Sequence, residues 1–223
     1  MGIAPDDVRV SSGIVTPAQV STLVDMPEVT VRSWMRPRGN RPPLVHSRTP
    51  ARRGWPSIPL VGLAEVSSLR ALRDSGLSMR TVLDAAAYVR AHWDDPYALA
   101  NPRLVTDGAE AFLHDTQTDE VYRLRDRQHA FTEILREHLR PLVIGPDDYV
   151  QAFHATRLVD ADLYLDPRFS AGRLSFSNRV PVFAVLGALA AGELPESVAL
   201  DFGLKPSEVR AVEQHSRWLA DAA

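Results

Sequence analysis

The chain has 223 residues, of which 45% are hydrophobic and 24% charged, proportions typical of a folded globular protein. It contains no cysteine, which excludes disulfide bonds, thiolate catalysis and cysteine-ligated metal centres. The N-terminus has acidic residues where a secretory signal needs cations, and the longest apolar run, Val180 to Gly192, is shorter than the roughly 20 residues that span a bilayer. We therefore expect a cytoplasmic protein that does not cross a membrane.

The net charge of −3 hides two regions of opposite sign. Between Val29 and Ala64 there are seven arginines and no aspartate or glutamate, so this segment carries +7 and the rest of the chain carries −10. Such a basic segment is typical of a surface that binds a polyanion. A solvated arginine-rich loop explains the composition equally well, because the chain contains a single lysine and all its other Lys or Arg side chains are arginines.

The first predicted elements are a loose tail over residues 1–14 and then two short helices. Thr16-Pro17 is an N-cap followed by proline at the first helical position. A second helix fits residues 28–35, and Pro37 ends it. Two short helices with a tight turn between them predict a helix-turn-helix, whose second helix turns its outward face to DNA bases. The apolar positions predicted to face inward are Val20, Leu23 or Val24, Met26, Val31 and Trp34.

The outward face of the second helix and the loop after it supply the candidate DNA-binding residues. Arginine pairs with guanine edges and with phosphates, whereas serine and threonine bond to bases or phosphates. Residues 37–59 contain six of the seventeen prolines, so we expect an irregular loop, with a short strand at 43–47, in the position of the wing of a winged helix. The predicted DNA-binding residues are Thr30, Arg32, Ser33, Arg36, Arg38, Arg41, Arg48, Arg52 and Arg53.

The remaining elements follow from hydrophobic periodicity and turn residues. They are a packed pair of helices over 63–76 and 78–93, a hairpin within 101–124, a helix over 126–139, one or two strands within 143–153, and helices over 181–191, 195–202 and 206–220. The predicted fold class is therefore mainly α with minor β. The predicted domains are a winged helix-turn-helix over 15–98, a middle β-hairpin and helix segment over 99–160, and a small helical domain over 161–223.

A second helix-turn-helix pattern lies near the C-terminus. Ala199, Gly203 and Val209 have the small, glycine and apolar residues of the motif at the expected spacing. The segment from Glu193 to Ala223 nevertheless contains six acids and three bases, so phosphates would repel it. The pattern leaves open whether this unit contacts DNA, contacts a protein or is purely structural.

Catalytic motifs are absent from the sequence. None of the seven histidines forms a His-x-x-x-His pair, and the chain has no nucleophile elbow, no phosphate-binding glycine loop and no dinucleotide fingerprint. The acidic pairs Asp94-Asp95 and Asp147-Asp148 lie beside prolines and are interpreted as turn or cap residues. We predict no enzymatic activity, no cofactor and no metal site. The alternative in the enzyme class is a protein whose basic loop binds a phosphorylated substrate.

Several of these residues also match known regulators. Thr16-Pro17-Ala18-Gln19-Val20 and Val31-Arg32-Ser33-Trp34 resemble the N-terminal helix-turn-helix of MerR-type regulators, and the likeness continues through Ile58-Pro59-Leu60-Val61. The C-terminal Leu165-Asp166-Pro167-Arg168 and Asn178-Arg179-Val180-Pro181-Val182 are similar to a small domain of antitoxins. The combination resembles VapB-type antitoxins, although Ser177-Asn178 replaces the usual Gly-Thr of the small domain.

The resemblance implies the antitoxin of a type II toxin–antitoxin system. Such a protein binds its own operator DNA as an autorepressor and neutralises a toxin, here a PIN-domain ribonuclease, through the acidic C-terminal part or the middle segment. A homodimer is expected, because two-fold symmetry supplies two half-site contacts. The alternative is a MerR-like transcriptional regulator with no toxin partner.

Overall fold

The computed structural model describes residues 3–106, 128–158 and 160–222. The chain is mostly helical with a small antiparallel sheet, so the predicted fold class is confirmed. The helices of the N-terminal half are α1 (Val8–Ser11), α2 (Pro17–Val24), α3 (Glu28–Trp34), α4 (Leu60–Asp74), α5 (Met79–His92) and α6 (Arg103–Thr106). Those that follow are α7 (Gln128–Leu139), α8 (Val182–Ala190), α9 (Pro195–Phe202), α10 (Pro206–Gln214) and α11 (Ser216–Ala222).

Helix α4 lies at the centre of the packing. Its residues from Leu60 to Leu69 are all buried, and α2, α5, α7 and a strand of the sheet pack around it. The loop before α4 approaches the helix most closely at Gly62, where a Cβ would lie 2.3 Å from the carbonyl oxygen of His46. Because no side chain fits in that space, glycine is required where the long loop crosses α4.

The sheet is an antiparallel meander of β1 (Leu142–Ile144), β2 (Val150–His154), β3 (Leu163–Leu165) and β4 (Ser175–Phe176). The strands predicted within 143–153 are therefore confirmed. Phe153 of β2 is paired with Leu165 of β3, so the sheet joins the middle segment to the C-terminal segment. The predicted hairpin over 101–124 lies mostly outside the described residues, and its first part, predicted as extended, forms α6 instead.

The N-terminal residues, predicted as a loose tail, are packed, and that prediction was wrong. Val10 and Ile14 are buried, and Nη2 of Arg9 lies 2.6 Å from a carboxylate oxygen of Asp147 in the turn between β1 and β2. This ion pair lowers the pKa of Asp147 below its ordinary value. A four-residue helix such as α1 is too short to produce a periodic signal, which is why the sequence did not reveal it.

The last of the C-terminal helices packs against the N-terminal helix-turn-helix. The helices predicted over 181–191 and 195–202 are found as α8 and α9, whereas the one predicted over 206–220 is divided at His215 into α10 and α11. His215 leaves helical geometry with φ −104° and ψ 18°. The change of direction lets α11 pack against α2, so the end of the described chain supports the first helix of the helix-turn-helix.

Candidate nucleic-acid interface

The N-terminal helix-turn-helix is formed by local signals and a shared core. The Thr16 hydroxyl accepts from the backbone N–H of Gln19 at 3.2 Å, and the Gln19 side chain accepts from the Thr16 N–H at 2.7 Å, a complete capping box. Helix α2 ends at Val24, and the next residue, Asp25, adopts φ 50° in the left-handed region. The predicted inward residues Val20, Val24, Met26, Val31 and Trp34 are all buried, which fixes the outward face of α3.

Asp25 occupies the turn position at which this motif usually has glycine. Its left-handed backbone is supported from α4, because the Arg70 guanidinium donates to the carbonyl oxygen of Val24 and lies 3.4 Å from the Asp25 carboxylate. Aspartate adopts this conformation more readily than most residues, since its short polar side chain bonds locally. The turn between α2 and α3 is thus held by a side chain from the central helix.

The exposed face of α3 carries the residues predicted to read DNA. Val29 is 74% exposed, and Arg32 and Arg36 are exposed as well. Thr30 and Ser33 are half-buried, and the Ser33 hydroxyl donates to the Thr30 carbonyl at 2.7 Å. Arg32 forms a surface ion pair with Glu28 one turn earlier, with 2.6 Å between Nη2 and Oε1. Such pairs contribute little stability, so the guanidinium can exchange Glu28 for another acceptor at low cost.

The loop after α3 begins with a tight turn. The backbones of Arg38 and Arg41 exchange two hydrogen bonds of 3.1 Å around Gly39, which has φ 60°. The Arg38 side chain approaches Ser33 of α3 at 3.4 Å, whereas Arg41 pairs with Asp84 of α5 at 2.7 Å. The Arg38 side chain is therefore next to α3, whereas the Arg41 side chain is held at α5. No strand is found at 43–47, where one was predicted.

The remaining loop arginines differ in what they contact. Arg48 donates to the carbonyl oxygens of Val10 at 3.0 Å and Pro5 at 3.3 Å, so much of its hydrogen-bonding capacity is used inside the chain. The Arg52 guanidinium lies 5.4 Å from the centre of the Trp55 ring, and Trp55 is 52% exposed. Within the described residues, Arg36, Arg52 and Arg53 have no hydrogen bond or ion pair through their side chains.

A buried ion pair holds the base of this loop, and sequence reasoning missed it. Glu65 of α4 is completely buried, and its carboxylate accepts from the His46 N–H at 2.6 Å. Nη2 of Arg90 from α5 lies 3.1 Å from the same carboxylate, and the Arg90 guanidinium also donates to the carbonyl oxygens of Pro43 at 2.9 Å and Leu44 at 2.7 Å. The only indication of this ion pair in the sequence is an acidic residue, Glu65, within an otherwise apolar helix face. The pair fixes where the loop leaves α3.

The second helix-turn-helix has the expected backbone. Gly203 between α9 and α10 has φ 62°, and the Asn178 side chain donates to the carbonyl oxygens of Phe202 at 3.0 Å and Gly203 at 3.3 Å. Two of its outward residues are already engaged, because Glu208 accepts from the Lys205 N–H at 2.8 Å and Arg210 pairs with Glu196. This unit therefore offers few free cations to a phosphate backbone.

Neither a metal cluster nor a membrane span is found in residues 3–106, 128–158 and 160–222. No group of three or more histidines, aspartates or glutamates there is placed to hold a metal ion. No helix of these ranges is long and apolar enough to cross a membrane. The feature of the described residues that points to a ligand is thus the exposed positive charge on α3 and its loop.

A helix-turn-helix followed by an arginine-rich loop is the arrangement of a DNA-binding regulator. Residues 13–86 match the family model described as "Putative DNA-binding HTH domain". The chain is 29% identical to the "Putative antitoxin VapB45" of Mycobacterium tuberculosis, over 92% of this chain and 94% of that protein. It is also similar to the X-ray crystal structure of Rv2018 from Mycobacterium tuberculosis, with a TM-score of 0.73 and 26% identity over 90% of this chain and 97% of that one.

These similarities test the resemblance to VapB-type antitoxins that the sequence motifs suggest. The likeness to VapB-type antitoxins and the N-terminal helix-turn-helix are confirmed. They point to a regulator rather than an enzyme. The PIN domain of the toxin, the homodimer and the individual DNA-binding residues stay predictions.

Proposed function

We propose that the chain is the antitoxin of a type II toxin–antitoxin system that represses its own operon and neutralises a PIN-domain ribonuclease toxin. The observation that carries the DNA-binding part is the exposed face of α3, continued by Arg38, Arg52 and Arg53 of the loop, which form no ion pair with an acidic side chain of the described residues. The similarity to an antitoxin over nearly the full length of both chains supports the toxin-binding part. The protein acts in the cytoplasm, without a cofactor, a metal or catalytic activity.

The proposed interface divides into two sets with different roles. Thr30, Arg32 and Ser33 on α3, and Arg36 just after its C-terminal end, face the major groove, where arginine donates to guanine O6 and N7. Arg38, Arg41, Arg52 and Arg53 follow the phosphate backbone, and Arg48 contributes with whatever donors its contacts to Val10 and Pro5 leave free. Residues 15–98 form the DNA-binding unit, while residues 99–160 or the acidic 161–223 contact the toxin. Two copies bind two half-sites.

The first experiment is a binding titration of the purified chain with the DNA upstream of its own gene. Fluorescence anisotropy is recorded at several salt concentrations, beside a scrambled duplex of equal length. We expect selective binding and a slope of log K against log salt of about −4 for each bound copy, because four or five arginines of a copy contact phosphates and each contact contributes about −0.9. Equal affinity for both duplexes, or no binding at low salt, contradicts the proposal.

The second experiment addresses the toxin. The chain is co-expressed with the product of the neighbouring gene, and the two are purified through a tag on the chain alone. We expect a stable complex in which the neighbour's ribonuclease activity is suppressed. Selective DNA binding without any such complex would instead identify a MerR-like transcriptional regulator with no toxin partner.

A further inference from the structure

Helix α8 has an apolar face that nothing in the described structure covers. The segment Val182–Ala190 has no charged or polar side chain, yet only Val182 and Val185 are fully buried. Phe183 is 52% exposed, and a Cβ built at Gly187 meets no atom within 4 Å. An exposed aromatic ring on an entirely apolar helix is typical of an interaction surface rather than a solvated one.

The exposed residues of α8 have a defined order. Phe183, Gly187 and Ala190 are spaced at i, i+4 and i+7, so they lie on the same face of the helix. The bulky side chain is at the N-terminal end of this face, and the exposed residues towards its C-terminal end, Gly187 and Ala190, are small. A partner that fits the face must therefore be small opposite Phe183 and bulky opposite Ala190.

The two ends of this exposed face of α8 differ in charge. The Arg173 guanidinium lies 5.1 Å from the centre of the Phe183 ring, so the N-terminal end of the face is positive. Glu193 lies three residues beyond the last residue of the helix and is exposed, so the other end is negative. Within the described residues neither Arg173 nor Glu193 has an ion pair, whereas nearby Glu196 is already paired with Arg210.

We propose that this face binds a second copy of the chain, with the two α8 helices packed antiparallel about a two-fold axis near Gly187. The two-fold axis places Phe183 of each copy against Ala190 of the other, and Arg173 of each near Glu193 of the other. Each requirement of size and charge is met by the face itself, which is the property of an isologous interface. A parallel arrangement would bring arginine against arginine and glutamate against glutamate.

This inference deepens the proposed function, in which a dimer binds two DNA half-sites, but it is tested without DNA. Self-association of the full chain is measured by sedimentation over a range of micromolar concentrations. The principal variant is Phe183→Glu, with Ala190→Glu as a second variant should the first lose its circular-dichroism melting transition. The matched control is Val29→Glu, which places the same charge on an exposed apolar position of α3, far along the chain from α8.

A charge exchange tests the orientation of the two helices. Arg173→Glu and Glu193→Arg each place like charges across the antiparallel interface, and the double variant restores opposite charges. We expect each single variant to raise the dimer dissociation constant about threefold to tenfold, and the double variant to recover most of that loss. Recovery distinguishes a direct contact between Arg173 and Glu193 from two independent losses.

The expected result is a dimer for the wild type and for Val29→Glu, with a dissociation constant raised more than about tenfold by Phe183→Glu. Three results overturn the inference: a monomeric wild type, variants that dimerise as well as the wild type, or variants that keep the dimer but lose the neighbouring gene's product. The last result assigns the face to the toxin. Failure of the DNA titration alone leaves the sedimentation result standing, so the two proposals fail separately.

Discussion

The fully buried carboxylate of Glu65 lies 3.1 Å from Nη2 of Arg90 and 2.7 Å from Nδ1 of His46. Arg90 also donates to the carbonyl oxygens of Pro43 and Leu44, so one guanidinium joins α5, α4 and the start of the arginine-rich loop. Two further backbone bonds, from the N–H groups of Leu44 and Val45 to the carbonyl oxygen of Trp34, hold the same segment against α3. The position of the loop relative to α3 thus depends on a buried ion pair.

Replacing Arg90 with alanine is predicted to destabilise the protein strongly. The substitution leaves the Glu65 carboxylate buried without its cation, a loss that typically costs about 3–5 kcal/mol. Urea unfolding followed by circular dichroism measures the free energy of unfolding. Arg41→Ala is the control, because its pair with Asp84 is half-exposed and is expected to contribute less than about 1 kcal/mol. Similar losses for both variants would contradict a special role for the buried pair.

The double substitution Arg52→Ala with Arg53→Ala is predicted to weaken DNA binding without altering sequence preference. Both arginines are exposed and lie in the loop, so they are expected to contact phosphates, and the salt slope should become shallower by about 2 for each bound copy. Arg32→Ala on α3 is predicted to cost about 1–3 kcal/mol and to relax base preference at one position. Anisotropy titrations on operator and scrambled duplexes measure both effects. Unchanged affinity in both variants would remove the winged-helix interpretation.

Arg48→Ala provides the contrast within the same loop. Because the Arg48 side chain bonds to the carbonyl oxygens of Val10 and Pro5, we expect its removal to loosen the N-terminal segment and lower stability. Its effect on the salt slope should be smaller than that of Arg52 or Arg53 individually. A slope change as large as theirs, with unchanged stability, would show that the contacts to Val10 and Pro5 yield to phosphate.

Local signals explain what the sequence predicted correctly. Thr16-Pro17 gave the start of α2, Pro37 marked the end of the second helix, and apolar spacing placed Val31 and Trp34 on the buried face. Such features depend on residues within one or two turns of each other, which a single sequence displays directly. The proline-rich segment was likewise recognised as a loop, because no long helix can contain that many prolines.

Long-range contacts explain what was missed. The role of Glu65 depends on Arg90, 25 positions later, and on backbone groups 19 or more positions earlier, and no local pattern links them. The packed N-terminus depends on Asp147 and Gly172, and the support of α2 depends on α11 at the opposite end of the chain. The individual DNA-binding residues stay predictions for a different reason, since a face and a charge define a surface but not its contacts.

Gly172 is predicted to be the least replaceable glycine that contacts the N-terminal segment. A Cβ at this position would lie 2.3 Å from Cγ2 of Ile14, and the residue has φ 75°. We expect Gly172→Ala to lose about 2–4 kcal/mol, the sum of overpacking and backbone strain. Gly54→Ala is the control, because Gly54 has φ 85° but no atom within 4 Å of its Cβ position, which leaves strain alone. Equal losses in urea unfolding would contradict the close packing of Ile14.

His138 of α7 is predicted to make stability depend on pH. Burial, reinforced by the nearby Arg70 cation, lowers its pKa below the ordinary 6.5, and these effects outweigh the Asp74 carboxylate 3.0 Å away and Glu137. The unfolded chain therefore takes up this proton before the folded chain does, so the free energy of unfolding should fall as the pH drops below about 6.5. His138→Gln should flatten this dependence in urea unfolding series between neutral and mildly acidic pH.

The carboxylates near Arg9 respond in a different pH range, which separates the two effects. Arg9 lowers the pKa of Asp7 and Asp147 below the ordinary 3.8, so their contribution persists above that pH and is lost only at more acidic values. Arg9→Ala should consequently change how the free energy of unfolding depends on pH below about pH 4, and should leave the dependence due to His138 intact. If His138→Gln changes the free energy of unfolding only below about pH 4, the assignment of the pH dependence between neutral and mildly acidic pH to His138 is wrong.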